Sequence, residues 1–327
     1  HLRVLARAPA RGGCLAVASV AEELKALTLF SGCGTPRIFE DGSYKYVFRA
    51  GAHSTMDNVA LARYAASAMP DLKTFAGFNQ NYSWGQDSWT DFKLSMKQLM
   101  PKAEPVEELF PEFGSGQYGA QISTLLRRKP ELIHSSFWGG DLEAFLMQAT
   151  PRNLFASSKI MFANAEHVLP RLGKKIPNGL ITGGRGAVGL IAPKNALSDW
   201  LKEAHLKKLH QPALQGPFRI SQPILALKTA VEKAMAQNQG AKPTTDQIVA
   251  ALENLSFEAP TGTIRMALGN GHQAIQDAAV GVASWDDAAG AVKISDLRIF
   301  KAECVNPPPG IKSSEWIKAG FPGAKCD

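Results

Sequence analysis

Thr74-Phe75-Ala76-Gly77-Phe78-Asn79-Gln80-Asn81-Tyr82-Ser83-Trp84-Gly85-Gln86 is a short apolar run, a polar loop and the entry to an amphipathic segment, Asp87 to Leu99. Five apolar or small residues in a row suit a strand buried on both faces, and the periodic segment behind them suits a helix packed on its sheet. The passage reads as one β-loop-α step, and the step recurs. Further strands are predicted at Leu27 to Phe30, Glu131 to Phe137, Lys159 to Ala163 and Gly179 to Thr182. Helices are predicted at Met56 to Met69, Gln117 to Arg128, Leu142 to Ala149 and Asn195 to Leu206. Alternation of this kind specifies an α/β fold on parallel sheets. After Pro217 come a long helix, Ser221 to Gln237, and a shorter one, Thr245 to Asn254; beyond them Gly262 to Met266, His272 to Ala283 and Ala291 to Lys301 read as antiparallel strands.

A chain of 327 residues has room for two domains, and 45% apolar with 20% charged residues is a globular composition. The excess of 36 Lys and Arg over 29 Asp and Glu is spread out. The basic run Leu125-Leu126-Arg127-Arg128-Lys129 closes a predicted helix, where cations complement the dipole, so nucleic acid is not expected as a partner. No apolar run reaches the length of a membrane span. The start, His1 to Arg11, has no initiating Met, and its arginines break any signal-peptide core, so a removed leader or an internal start is expected. Cys14, Cys33, Cys304 and Cys326 have no CxxC spacing. A Cys304–Cys326 bridge around Pro307-Pro308-Pro309-Gly310 would suit an oxidising compartment; the pairing is left open.

In an open α/β sheet ligands bind beyond the carboxyl ends of the strands. That rule nominates Ser31-Gly32-Cys33-Gly34-Thr35, then Asn79, Gln80, Tyr82 and Trp84, then Trp138-Gly139-Gly140-Asp141, then Asn164 and Glu166, then Gly183-Gly184-Arg185. Hydroxyls, aromatic faces and both charges are what a polar small-molecule pocket needs; each aromatic has the plainer reading of packing a helix on the sheet. Arg185 among glycines could offer a carboxylate a bidentate fork, or be a solvated turn; Glu166 could take an ammonium, or favour a helix start.

Gly184-Arg185-Gly186-Ala187-Val188-Gly189 satisfies GxGxxG after a strand but runs into Leu190-Ile191-Ala192-Pro193, where proline disfavours the helix that a dinucleotide loop must open. No HExxH, GxSxG or GxxxxGK[ST] occurs, and His53, His134 and His167 read as ordinary hydrogen-bonding residues. No metal or cofactor is expected.

Leu15 to Leu24, Ser31 to Pro36 and Tyr46-Val47-Phe48-Arg49 together resemble the first lobe of the leucine/isoleucine/valine-binding type of periplasmic solute-binding protein. Asn79 to Gln86 resembles the opening of that family's second lobe, and Pro260-Thr261-Gly262-Thr263-Ile264-Arg265 its last crossing. The likeness runs from about Leu15 to Lys301. It implies the type I periplasmic binding fold, two doubly wound parallel-sheet lobes joined by three crossings. Lobe one would be 1–49 plus 217–266, lobe two 50–216 plus 267–303, with 304–327 a tail. The crossings would follow Phe48-Arg49, precede Phe218-Arg219 and follow Ile264-Arg265-Met266.

The same resemblance implies a site in which Thr35 helps hold a ligand carboxylate, with Ser31 of the same loop a further ligand-binding candidate, Tyr82 and Trp84 cover the ligand, Trp138 and Gly139 line the second-lobe wall, and Glu166 receives an ammonium. Two departures stand out. The family has a strand, helix, strand, helix, strand run before the segment matching Leu15, where this chain has fourteen residues, so lobe one is expected to lack its first strands. The family's ligand-binding serine is replaced in the stretch Arg11-Gly12-Gly13-Cys14. The implied function is an extracytoplasmic receptor of an ABC importer, without catalysis. It would bind a branched-chain amino acid or a similar small amide or aromatic carboxylate, with a membrane permease as partner. The alternatives are the sensing domain of a receptor or regulator and, more remotely, an NAD-dependent oxidoreductase.

Overall fold

The computed structural model describes residues 13–326; the start His1 to Arg11 lies outside them. Among the described residues twelve strands form two sheets. The first combines β1 (Thr28–Phe30), β2 (Val47–Arg49), β8 (Ser256–Ala259), β9 (Gly262–Leu268) and β10 (Gln273–Ile275) in the order β1-β2-β10-β9-β8. The second combines β3 (Thr74–Phe78), β4 (Glu104–Leu109), β5 (Leu132–Ser135), β6 (Lys159–Phe162), β7 (Leu180–Thr182), β11 (Ala278–Asp286) and β12 (Ala291–Phe300) in the order β12-β11-β7-β6-β5-β3-β4. Its five middle-chain strands are parallel, and β11 and β12 add an antiparallel edge. Two mixed α/β lobes result, as expected from the alternation of apolar runs and amphipathic helices; the second sheet is largely parallel, and the first joins two parallel to two antiparallel pairings.

Each lobe has its own core. Leu29, Phe48, Phe257 and Ile264 pack against Ala226, Ala230 and Leu252 of the helices Gln215–Gln237 and Thr245–Leu252 in lobe one. Lobe two buries both sheet faces, one against Met56, Tyr64, Trp89 and Phe92, the other against Tyr118, Phe137, Phe145 and Phe162. A strand covered on both sides is mostly apolar, which is why β3, β5 and β6 read so clearly, although β5 also buries His134 and Ser135.

Two crossings differ from expectation. The first passes from Arg49 to the helix Ser54–Ala68. On the second, the Leu190 amide still donates to Glu166 in lobe two, whereas Asn195 Nδ2 reaches Pro260 O in lobe one, so the passage falls at 191–194 and not before Phe218. The third falls at Gln276-Asp277 and not after Met266, because β9 and β10 pair as a hairpin in the first sheet. Its turn is Gly269-Asn270-Gly271, all with positive φ, a conformation that favours glycine and asparagine and suits a tight reversal, not a crossover. The boundaries 217 and 266 of the sequence reading move accordingly.

The tail is not a loose appendage. Its helix Ser313–Lys318 packs on the helix Ser83–Leu99, and Trp316, Ile317 and Phe321 join the lobe-two core. A Cys304–Cys326 disulfide closes it, and Cys14 pairs with Cys33. The tail also reaches lobe one through Lys312–Asp41, 2.7 Å, and the Ser313 amide, which donates to Glu40 at 3.0 Å.

Candidate functional site

The loops after β1, β3, β5, β6 and β7 converge between the lobes. From lobe one comes Ser31 to Thr35, pinned from several sides. Arg219 Nε and Nη2 donate to Ser31 O at 3.2 and 2.9 Å, and Arg49 Nη1 donates to Cys33 O and, at 2.8 Å, to Thr35 O. Thr35 Oγ1 accepts from the Arg37 amide at 3.3 Å. Cys33 is left-handed at φ 61°, so its disulfide to Cys14 fastens the tightest point of the loop.

Trp84 faces this loop from lobe two. Its Nε1 donates to Ser136 O at 3.0 Å, and the Arg185 guanidinium lies 4.7 Å from the ring centre. The ring sits so close to Gly34 that a Cβ there would fall 2.5 Å from Trp84 Cζ3 and nearer still to Cε3. Glycine is required here for approach, and the lobes touch at this point.

A second aromatic wall stands behind. Trp138 Nε1 donates to Tyr82 Oη at 2.8 Å, and the Phe113 ring lies 5.3 Å from Tyr82 and 5.6 Å from Trp138. Gly139, at φ 57°, donates its amide to His167 Nε2 at 3.1 Å. That bond leaves the hydrogen of the neutral imidazole on Nδ1, a buried donor with no partner. Burial, with Arg219 nearby, pushes His167 down to about 4, so the ring is neutral near pH 7.

Arg185 is buried, in the left-handed region at φ 63°, with Nη2 donating to Ala52 O at 2.5 Å and Nε 3.8 Å from Asp57 Oδ2. Asp57 Oδ1 accepts from the Gly186 amide at 2.9 Å, and burial raises its carboxyl to about 7. Burial likewise lowers Arg219 to about 9. Both arginines remain cationic at neutral pH.

Glu166 does not face the cleft as an acceptor for an ammonium. Its Oε1 accepts from the Leu190 amide at 2.8 Å and its Oε2 from the Gln215 amide at 3.0 Å. A Cβ at Gly189 would collide with the carboxylate. Glu166 therefore ties the second crossing and the first turn of Gln215–Gln237 to lobe two, and burial raises its pKa to about 7. Gln215 continues the tie, with Nε2 donating to Gly184 O at 2.6 Å and to Asn164 Oδ1, and Oε1 accepting from Arg219 Nη1 at 3.2 Å.

The structure thus brings together Ser31, Thr35, Tyr82, Trp84, Trp138, Gly139 and Arg185, and turns Glu166 to backbone amides. Sequence reasoning missed Arg219, His167 Nδ1, Asp57 and Phe113. The GxGxxG stretch opens no long helix; Gly189–Ile191 is a single 3₁₀ turn before Ala192-Pro193, so no helix N-terminus is there to receive a pyrophosphate.

The sequence profile of the family described as periplasmic binding protein matches residues 1–290. The chain belongs to that family. Among solved structures of the family's fold, a branched-chain amino acid ABC transporter protein from Rhodopseudomonas palustris CGA009 is 23% identical, with TM-score 0.70 over 90% of this chain and 76% of that one. A solute-binding protein from R. palustris in complex with benzoate is 18% identical, with TM-score 0.76 over 90% and 77%. A leucine-binding protein from Thermotoga maritima is 19% identical, with TM-score 0.71 over 90% and 79%. No curated protein matches the chain.

Proposed function

We propose that this chain is the solute receptor of an ABC importer and takes a small carboxylate with a flat apolar body into the cleft between its lobes. One observation carries the ligand class. Around the cleft the cations Arg185 and Arg219 and the donor His167 Nδ1–H outnumber Asp57, whose Oδ1 accepts from the Gly186 amide and whose Oδ2 lies 3.8 Å from Arg185 Nε, while Glu166 already has a backbone amide on each oxygen. An anion offsets the burial of the cation in excess; a free ammonium would have to compete with Arg185 for Asp57. Tyr82, Trp84, Trp138 and Phe113 offer ring faces to a flat body. Related folds in complex with benzoate or 4-hydroxybenzoate support this reading, and one named a leucine-binding protein makes a branched-chain amino acid the second candidate.

Two disulfides suit an extracytoplasmic location, and among the described residues no helix is long and apolar enough to cross a membrane. Transport across the membrane would then fall to a separate permease. The test is a calorimetric panel of benzoate, 4-hydroxybenzoate, leucine and leucine amide. Benzoates binding at least about tenfold more tightly than leucine, about 1.4 kcal/mol, supports the reading. The reverse order sinks it.

A further inference from the structure

Arg49 also borders a cavity of about 250 Å³ outside the cleft, with Phe39 and Glu40 of the Arg37–Glu40 turn, His53 on the first crossing, Gln273 of β10, and Lys312 of the tail. Lobe one, a crossing and the tail fixed to lobe two all contribute walls. None of Ser31, Trp84, Trp138 or Arg185 does, so the cavity is separate from the site already described.

Its chemistry is incomplete as it stands. Arg49 is fully buried, and its hydrogen bonds go to neutral acceptors, the carbonyls of Cys33 and Thr35 and Gln273 Oε1; Nη2 has no partner. Among the described residues no carboxylate lies within ion-pair distance of it. A buried guanidinium with neutral partners carries a desolvation cost that a contacting anion would offset. Glu40 shares the cavity, but its Oε1 accepts from the Ser313 amide and hydroxyl.

His53 presents the opposite need. Asn306 Nδ2 donates to Ala302 O, so Asn306 Oδ1 is the acceptor in the 2.8 Å contact with His53 Nε2, and that nitrogen carries the hydrogen. Nδ1 is left as a buried acceptor without a donor. Burial pushes His53 down to about 3, which keeps the ring neutral. The Phe39 ring, 5.5 Å from the Arg49 guanidinium, gives the cavity an apolar wall.

We propose that this cavity is a second binding site, taking a small carboxylate that also carries an O–H or N–H donor, with the anion on Arg49 and the donor on His53 Nδ1. Lactate and propionate differ by that hydroxyl and are the probes. Titrated onto the full chain and followed by backbone amide NMR, lactate is expected to shift the amides of Asn270 and Lys312 and to bind at least about fivefold more tightly than propionate, the unmatched acceptor accounting for the difference. Lys312→Glu adds a negative charge beside Asp41 at a half-exposed position, and Ile311→Trp fills space beside the cavity; each is expected to weaken lactate binding at least about threefold. Absence of shifts at these amides, equal affinity for the two acids, or lactate binding indifferent to both variants would each overturn the proposal. Benzoate binding, read by tryptophan emission, is expected to be unchanged in both variants, so the cleft reading stands or falls on its own.

Discussion

Gly34→Ala separates a closing cleft from static packing. The backbone at Gly34 is not left-handed, so alanine is conformationally acceptable, and the obstacle is Trp84, whose Cζ3 would lie 2.5 Å from the new Cβ. Trp84 is itself held by Ser136 O and flanked by Arg185, so the ring has little room to yield. Overpacking of this kind costs about 1–3 kcal/mol. If the lobes part without ligand, the open form escapes the clash and the cost falls on the closed, ligand-bound form alone. Affinity for benzoate should then drop about five- to 150-fold, while the ligand-free chain keeps its stability or gains up to about 1 kcal/mol from the lost glycine freedom. Calorimetric titration and denaturant unfolding measure the two quantities on one preparation. An unfolding free energy reduced by the full 1–3 kcal/mol with affinity intact would refute the reasoning, because the contact would then belong to the ligand-free fold.

Glu166→Gln should change the pH dependence of stability. A carboxyl raised from 4.5 to about 7 in the folded chain keeps a proton that the unfolded chain releases, so it makes stability fall as pH rises across that window. The variant lacks this fall, and its stability relative to wild type should improve by about 3 kcal/mol between pH 4 and pH 8; parallel curves from denaturant midpoints would exclude the effect. Arg185→Ala should weaken benzoate binding more than tenfold, about 1.4 kcal/mol, and Arg185→Lys by an intermediate factor, since lysine keeps charge without the fork. A loss below about threefold for both would leave the carboxylate to Arg219 and the Ser31–Thr35 loop. Replacing Cys304 and Cys326 by serine opens a loop of sequence separation 22 and should lower the unfolding free energy by about 3 kcal/mol, with no loss expected only if the tail stays docked through Trp316 and Phe321 in the unfolded ensemble.

What could be read from sequence follows the physics of burial. β3, β5 and β6 are covered on both faces and are mostly apolar, so their positions were plain. β4 was not: Glu104-Pro105-Val106-Glu107-Glu108-Leu109 is an edge strand, largely exposed, with too few apolar residues to signal pairing and a proline that an edge tolerates. With β4 unseen, Phe113 in the loop behind it was unseen too. Pro217 read as punctuation, yet the helix begins at Gln215, because a first turn has no intrahelical use for the missing N–H. The placement of Tyr82, Trp84, Trp138 and Arg185 in loops beyond strand ends was legible from the strand positions. The partners of Glu166 were not, since both are backbone amides, at Leu190 and Gln215, and no side-chain pattern announces them.

The central claim is that a carboxylate closes the lobes on Trp84 and Trp138. Its most direct test is small-angle scattering of the full chain with and without saturating benzoate, paired with tryptophan emission. The radius of gyration is expected to fall and the emission to change together, with Trp84→Phe and Trp138→Phe each removing part of the optical change. Benzoate binding with an unchanged radius of gyration and unchanged emission would contradict it.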